Sequence, residues 1–161
     1  MDLKAIQKIH FIGIGGAGMS AISKVLLEMG YSVSGSDISD SEAIHKLQNI
    51  GAKVFIGHAR ENIEGVEAVV ISTAISKNNP EIVAAKENGI PIFHRADVVA
   101  ALMKEKCGIA VAGAHGKTTT TSMIALMLEH AGVNPTVLVG GELDFLQGNA
   151  KLGYGKYLVA E

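Results

Sequence analysis

The run Ala112-Gly113-Ala114-His115-Gly116-Lys117-Thr118-Thr119 joins an apolar stretch, Ile109-Ala110-Val111, to a helical pattern around Met123-Ile124 and Leu126-Met127-Leu128. Strand, glycine turn, Gly-Lys-Thr and helix in that order build a triphosphate cradle. Backbone N–H groups point inward, the helix N-terminus adds partial positive charge, and one lysine supplies a full charge. The common form has four residues between its first glycine and Gly-Lys. Here Val111 occupies that first position, so the loop is the shorter Gly113-x-x-Gly116-Lys117-Thr118. The mechanism survives the shortening: Lys117 can still reach β- and γ-phosphates, and the Thr118 hydroxyl can still ligate Mg²⁺. Gly113, Ala114, His115, Gly116 and Thr119 complete the expected ATP-binding turn. His115 can meet phosphate or substrate, and with Lys117 it forms the candidate catalytic pair. Thr118 to Thr121 are poor helix formers, so something other than propensity keeps them at a helix start.

A second glycine turn lies near the N-terminus. Gly13-x-Gly15-x-x-Gly18 follows an apolar strand and opens a helix, the context that a dinucleotide fingerprint requires. The first glycine allows a tight turn, the second lets backbone approach a pyrophosphate, and the third lets helix and strand pack closely. Asp37 lies 19 residues past Gly18, where it accepts from ribose hydroxyls or stands as a solvated turn residue. The turn alone does not separate NAD from another diphosphate-linked nucleoside. Ser72-Thr73-Ala74 follows the fourth strand, where open α/β sheets bind ligands. Arg95 follows the fifth and suits a pyrophosphate or a surface ion pair equally. Glu161 ends the last strand; spacing alone leaves open whether it is a carboxylate for Mg²⁺.

Short apolar runs alternating with helical patterns predict a parallel α/β sheet. Strands are expected at Lys8–Ile14, Tyr31–Gly35, Lys53–Ile56, Ala68–Ser72 and Ile90–Phe93. Helices are expected at Ala17–Met29, Ser41–Ile50, Glu81–Asn88 and Ala96–Lys104. The charged patch Lys104-Glu105-Lys106 reads as a boundary between units 1–106 and 107–161. The second unit then runs as strand, phosphate loop, helix to about His130, a glycine-rich segment, and a final strand from Tyr157. Cys107 reads as a small core residue, and His10, His45, His58 and His130 as structural or solvated. A strand that stops on reaching a carboxylate predicts a fragment of a longer protein.

The chain has 161 residues, 48% of them apolar and 4% aromatic, so its core must be aliphatic. A net charge of −2 gives no basic footprint for nucleic acid or an anionic membrane. One cysteine excludes an internal disulfide and fits a reducing compartment. With no signal-peptide core and no apolar run of about 18 residues, the sequence reads as a soluble cytoplasmic protein.

Together these pieces resemble the Mur ligase family. The resemblance is carried by His10-Phe11-Ile12-Gly13-Ile14-Gly15-Gly16-Ala17-Gly18-Met19-Ser20, Ser34-Gly35-Ser36-Asp37, Ser72-Thr73-Ala74-Ile75 with Asn79-Pro80-Glu81, and Arg95-Ala96. It continues through Gly113-Ala114-His115-Gly116-Lys117-Thr118-Thr119-Thr120, Gly140-Gly141 and Leu158-Val159-Ala160-Glu161. Ala114 departs from the threonine the family often has. The resemblance implies a Rossmann-like UDP-substrate domain over 1–106 and the incomplete start of a P-loop ATP-binding α/β domain over 107–161. It places UDP-N-acetylmuramate, not NAD, on Gly15, Gly16, Ala17, Gly18, Met19, Ser20, Asp37, Ser72, Thr73, Ala74 and Arg95. Mg²⁺ falls to Thr118 and Glu161. The implied reaction is ATP-dependent ligation of L-alanine to the muramate carboxylate through an acyl phosphate, for peptidoglycan precursor synthesis, with the fragment itself inactive. A sibling that attaches a tripeptide shares much of the pattern. A NAD-dependent oxidoreductase explains the first turn but not Gly116-Lys117-Thr118, and a non-catalytic nucleotide-binding module needs no carboxylate at Glu161.

Overall fold

The computed structural model describes residues 2–143, 146 and 148–161. The first half is a five-stranded, wholly parallel sheet in the order β3-β2-β1-β4-β5. Its strands are β1 (Lys8–Ile12), β2 (Ser32–Asp37), β3 (Lys53–Ile56), β4 (Ala68–Ile71) and β5 (Ile92–His94). The helices between them are α1 (Ala17–Glu28), α2 (Glu42–Asn49), α3 (Pro80–Glu87) and α4 (Arg95–Lys104). Local chemistry sets their starts. The Ser41 hydroxyl accepts from Ile44 N–H at the head of α2, and Asn79 accepts from Glu81 N–H beside Pro80 at the head of α3.

β1 is the central strand, and its side chains alternate between two covered faces. Ile9 and Phe11, both fully buried, meet Val25 and Leu26 of α1 on one side. Ile12 joins Val69, Ile82 and Ala85 on the other. Fully burying one such aliphatic or aromatic side chain contributes about 1.5–3 kcal/mol.

The second half builds a four-stranded sheet in the order β6-β9-β7-β8. Its strands are β6 (Cys107–Ala110), β7 (Thr136–Leu143), β8 (Gly148–Lys151) and β9 (Tyr157–Ala160), with α5 (Lys117–His130) following β6. β6, β9 and β7 are parallel, whereas β8 returns antiparallel to β7. Leu138, Ala150, Leu158 and Ala160 share one hydrophobic cluster with Ile9, Phe11 and α1. Strand β8 is also tied to α1 by polar contacts. Asn149 Nδ2 donates to Ala17 O at 2.7 Å, Lys24 Nζ donates to Ala150 O at 2.8 Å, and Leu152 N–H donates to Glu28 at 3.0 Å.

Three expectations need correction. The glycine-rich segment after His130 contains a strand, because the run Thr136-Val137-Leu138-Val139, β-branched except at Leu138, carries Gly140 and Gly141 into the sheet. That sheet is mixed, not purely parallel. Cys107 is exposed, since β6 is an edge strand. Among the described residues no helix is long and apolar enough to cross a membrane.

Candidate functional site

In a parallel sheet every strand delivers its carboxyl end to one edge. Here the chain runs outward from β1 to β3 and then crosses to β4, so the order reverses between β1 and β4, where such sheets open a ligand crevice. The Gly13–Gly16 turn follows β1 and Ser72-Thr73-Ala74 follows β4, flanking that reversal. Asp37 ends β2, and Arg95 opens α4 directly after β5. The expected UDP-binding positions therefore gather at one edge.

The turn after β1 is held from β2. Ser36 O accepts Gly13 N–H at 2.8 Å and Ile14 N–H at 3.1 Å. Asp37 Oδ2 accepts Gly15 N–H at 2.9 Å, and Oδ1 accepts Ile38 N–H at 2.8 Å. Asp37 thus fastens the turn itself. Gly13 has φ +80°, which an L side chain seldom adopts. Ala17 and Gly18 begin α1, and the first N–H groups of a helix have no partner within it. Met19 lies in the core, and the Ser20 hydroxyl donates to Ala17 O, so both side chains are engaged inside the protein. Gly18 has a use other than tight helix–strand packing. A Cβ there would run into the guanidinium of Arg95, which lies across it.

The second turn has the same plan. Gly116, at φ +76°, caps α5, and Lys117, Thr118 and Thr119 form its first turn. Lys117 Nζ curls back to donate to Gly113 O at 2.9 Å and Ala114 O at 3.4 Å. His115 is exposed on the loop. Thr118 Oγ1 donates to Glu161 Oε1 at 2.9 Å, and the same oxygen accepts Gly140 N–H at 2.5 Å. A side chain at Gly140 would strike that carboxylate, which explains a glycine inside β7.

Glu161 Oε2 is buried and has no hydrogen-bond partner. An orphaned carboxylate oxygen beside a threonine hydroxyl fits a hard divalent cation. Among the described residues no group of three His, Cys, Asp or Glu could hold a metal, so the remaining ligands would be phosphate oxygens and water. Gly18 and Arg95 from the first half and Leu138 and Glu161 from the second line one small cleft of about 10 Å³. A larger cavity of about 300 Å³ lies between α1, α2 and β8, and Ser20 is its only motif residue.

One cluster escaped the sequence reading. Glu81, fully buried on the second turn-forming position of α3, receives Ser36 Oγ–H at 2.6 Å and Asn62 Nδ2–H at 2.6 Å. His58 Nδ1 lies 3.1 Å from the same carboxylate, and His10 Nε2 lies 3.6 Å away, beyond hydrogen-bond range. Burial pushes the Glu81 carboxyl up, but the contacts from His10, Ser36 and Asn62 outweigh it and hold it below the ordinary carboxylate value. The sequence signal was His10 interrupting Ile9-His10-Phe11-Ile12, with Ser34 and Ser36 at matching alternate positions of β2.

A fold with both turns on the carboxyl edges of α/β sheets is shared with known ligases. Residues 8–107 match the Mur ligase family, catalytic domain, and the chain belongs to that family. A UDP-N-acetylmuramate–L-alanine ligase of Desulforamulus reducens is 60% identical over 157 residues, covering 96% of this chain and 34% of the relative. The structure of a UDP-N-acetylmuramate–alanine ligase from Thermotoga maritima superposes with a TM-score of 0.88 at 38% identity, over 95% of this chain and 36% of that one. A UDP-N-acetylmuramate:L-alanyl-γ-D-glutamyl-meso-diaminopimelate ligase from Neisseria meningitides also gives 0.88, at 27% identity, over 97% of this chain and 52% of that one. The chain spans 34% of the length of the curated relatives it matches first.

Proposed function

We propose that this chain supplies the UDP-substrate turn and the opening of the ATP site in a UDP-N-acetylmuramate–L-alanine ligase. The observation that carries the reading is the pairing of two turns in one chain: Gly13–Gly18 where the first sheet reverses its order, and Gly113–Thr119 with the orphaned Glu161 carboxylate bonded to Thr118. Residues 1–106 form the UDP-binding unit and residues 107–161 begin the ATP-binding unit. The UDP diphosphate lies against the Gly15–Gly18 turn at the first N–H groups of α1, with Ser72, Thr73 and Arg95 around it. The ATP phosphates lie on the Gly113–Thr119 turn, with Lys117 turning from its loop carbonyls to the β- and γ-phosphates. His115 stands at the mouth of that turn, near the reacting phosphate.

The muramate carboxylate oxygen attacks the γ-phosphorus, ADP leaves, and an acyl phosphate forms. The L-alanine nitrogen then attacks the acyl carbon, inorganic phosphate leaves with its electron pair, and the nitrogen loses a proton. The protein contributes mainly positioning and charge neutralisation. When bound, Mg²⁺ supplies charge that offsets the phosphate oxygens, and Thr118 and Glu161 are the residues that would hold it. The cytoplasm, where ATP and the nucleotide sugar are available, belongs to this reading. Turnover belongs to a protein longer than this chain.

The test uses a protein extending this chain to the length of its relatives. ADP release is followed with UDP-N-acetylmuramate plus either L-alanine or the L-alanyl-γ-D-glutamyl-meso-diaminopimelate tripeptide. Release that depends on L-alanine supports the proposal. Release that depends on the tripeptide transfers the chain to that sibling activity. Release that depends on neither contradicts ligation.

A further inference from the structure

Beneath the first glycine turn lies a buried carboxylate that the chemistry above does not use. We propose that Glu81 is a positioning residue for that turn, acting through Ser36 to hold Gly13–Gly15 in the shape that receives a nucleoside diphosphate. The inference rests on the reading that this turn binds the UDP group.

The connection is short. Glu81 Oε2 accepts the Ser36 hydroxyl at 2.6 Å, and the carbonyl of the same serine accepts Gly13 N–H and Ile14 N–H. The next residue, Asp37, takes Gly15 N–H. Three successive amides of the turn are therefore fixed by the last two residues of β2, and the side chain of one of these is anchored to Glu81. The carboxylate gathers the surrounding elements too. Asn62 reaches Oε1 from the turn after β3, His58 reaches Oε2 from the same connection, and His10 faces Oε1 from β1 with its own Nδ1 2.9 Å from Ser34 Oγ. His10 and His58 are the titratable groups facing it.

A negative charge suits this hub and its site. An ionised carboxylate only accepts, and it here receives donors on both oxygens. It also sits in the first turn of α3, where the helix dipole favours negative charge. The same sheet face is otherwise filled by Ile12, Val69 and Ile82, and an aliphatic residue at position 81 would complete an ordinary core. A buried charge is costly to retain where apolar packing would serve, and what it adds over an aliphatic residue is fixed geometry. The geometry fixed here is the end of β2, and the glycine turn hangs from it.

The experiment compares wild type, Ser36→Ala, Glu81→Gln and the double variant of this 161-residue chain. Amide exchange is read at Gly13, Ile14 and Gly15 against Lys117–Thr119, and UDP-N-acetylmuramate and ATP affinities are read by calorimetry. Each single variant is expected to speed exchange at the first turn about tenfold and to raise Kd for the UDP-sugar about tenfold, leaving the second turn and ATP unchanged. The double variant is expected to match the larger single effect, because both changes cut one chain of contacts. Uniform acceleration of exchange, additive effects, or an unmoved first turn would overturn the inference. If Glu81→Gln fails to fold, Ser36→Ala decides alone, since it removes one hydroxyl. If wild type binds no UDP-sugar, the functional reading fails instead, and the exchange comparison still judges Glu81.

Discussion

Replacing Gly18 by alanine separates ligand binding from stability. The three nearest neighbours of the new methyl group all belong to the exposed Arg95 side chain, so the fold can absorb it by moving that side chain off the first turn of α1. Gly18 carries no positive φ, so alanine fits its backbone, and alanine is better than glycine by up to about 1 kcal/mol in a helix interior and by less in the first turn, where Gly18 lies. The variant is therefore expected to be as stable as wild type or more so, with Tm unchanged or raised by about 2–4 °C. Binding moves the other way. A charge-assisted hydrogen bond between Arg95 and the diphosphate is worth about 1.5–3 kcal/mol, so its loss raises Kd for UDP-N-acetylmuramate by about 10- to 150-fold. Thermal unfolding and calorimetric titration of the same samples read both quantities. Unchanged affinity would refute the role given to Arg95. A fall in stability of about 2 kcal/mol or more would refute the claim that Gly18 makes room only for a movable side chain.

Further expectations follow from the same contacts. Because the folded Glu81 carboxyl sits below its ordinary value, the unfolded chain holds that proton more tightly. Its contribution to stability is thus complete above the ordinary carboxylate range and is lost as pH falls through the lowered value. Urea unfolding of wild type is expected to weaken across that acid window more steeply than Glu81→Gln, and equal slopes would count against the network. Lys117→Met removes the cation that the second turn offers to phosphate; ATP affinity is expected to fall at least about tenfold with UDP-sugar affinity unmoved, as calorimetry would show. Phe11→Ala empties a fully buried site on the central strand and is expected to cost about 3–5 kcal/mol in urea unfolding, a loss of under 1 kcal/mol showing that β1 is not the centre of the core.

Both glycine turns were legible because their chemistry is local: strand, turn and helix start lie within a few residues. The order of apolar runs gave the parallel sheet, and with it the gathering of Asp37, Ser72 and Arg95 at one edge. What escaped depended on distance along the chain. Glu81 meets Ser36 across 45 residues, and no short motif announces such a contact. The segment holding Gly140 and Gly141 read only as glycine-rich because glycine is rare in strands, yet Gly140 is small to admit Glu161 and Gly141 sits against Thr118. The use of Gly18 could not be read either, since Arg95 reaches it from the far side of the sheet order.

The central claim is that the first turn holds a UDP-sugar beside an ATP-binding turn. Its most direct test is calorimetric titration of this chain with UDP-N-acetylmuramate, using UDP and NAD as controls. Binding of the UDP-sugar, weaker binding of UDP and none of NAD is the predicted result. Binding of NAD without the UDP-sugar would contradict the account and return the first turn to a dehydrogenase-like use.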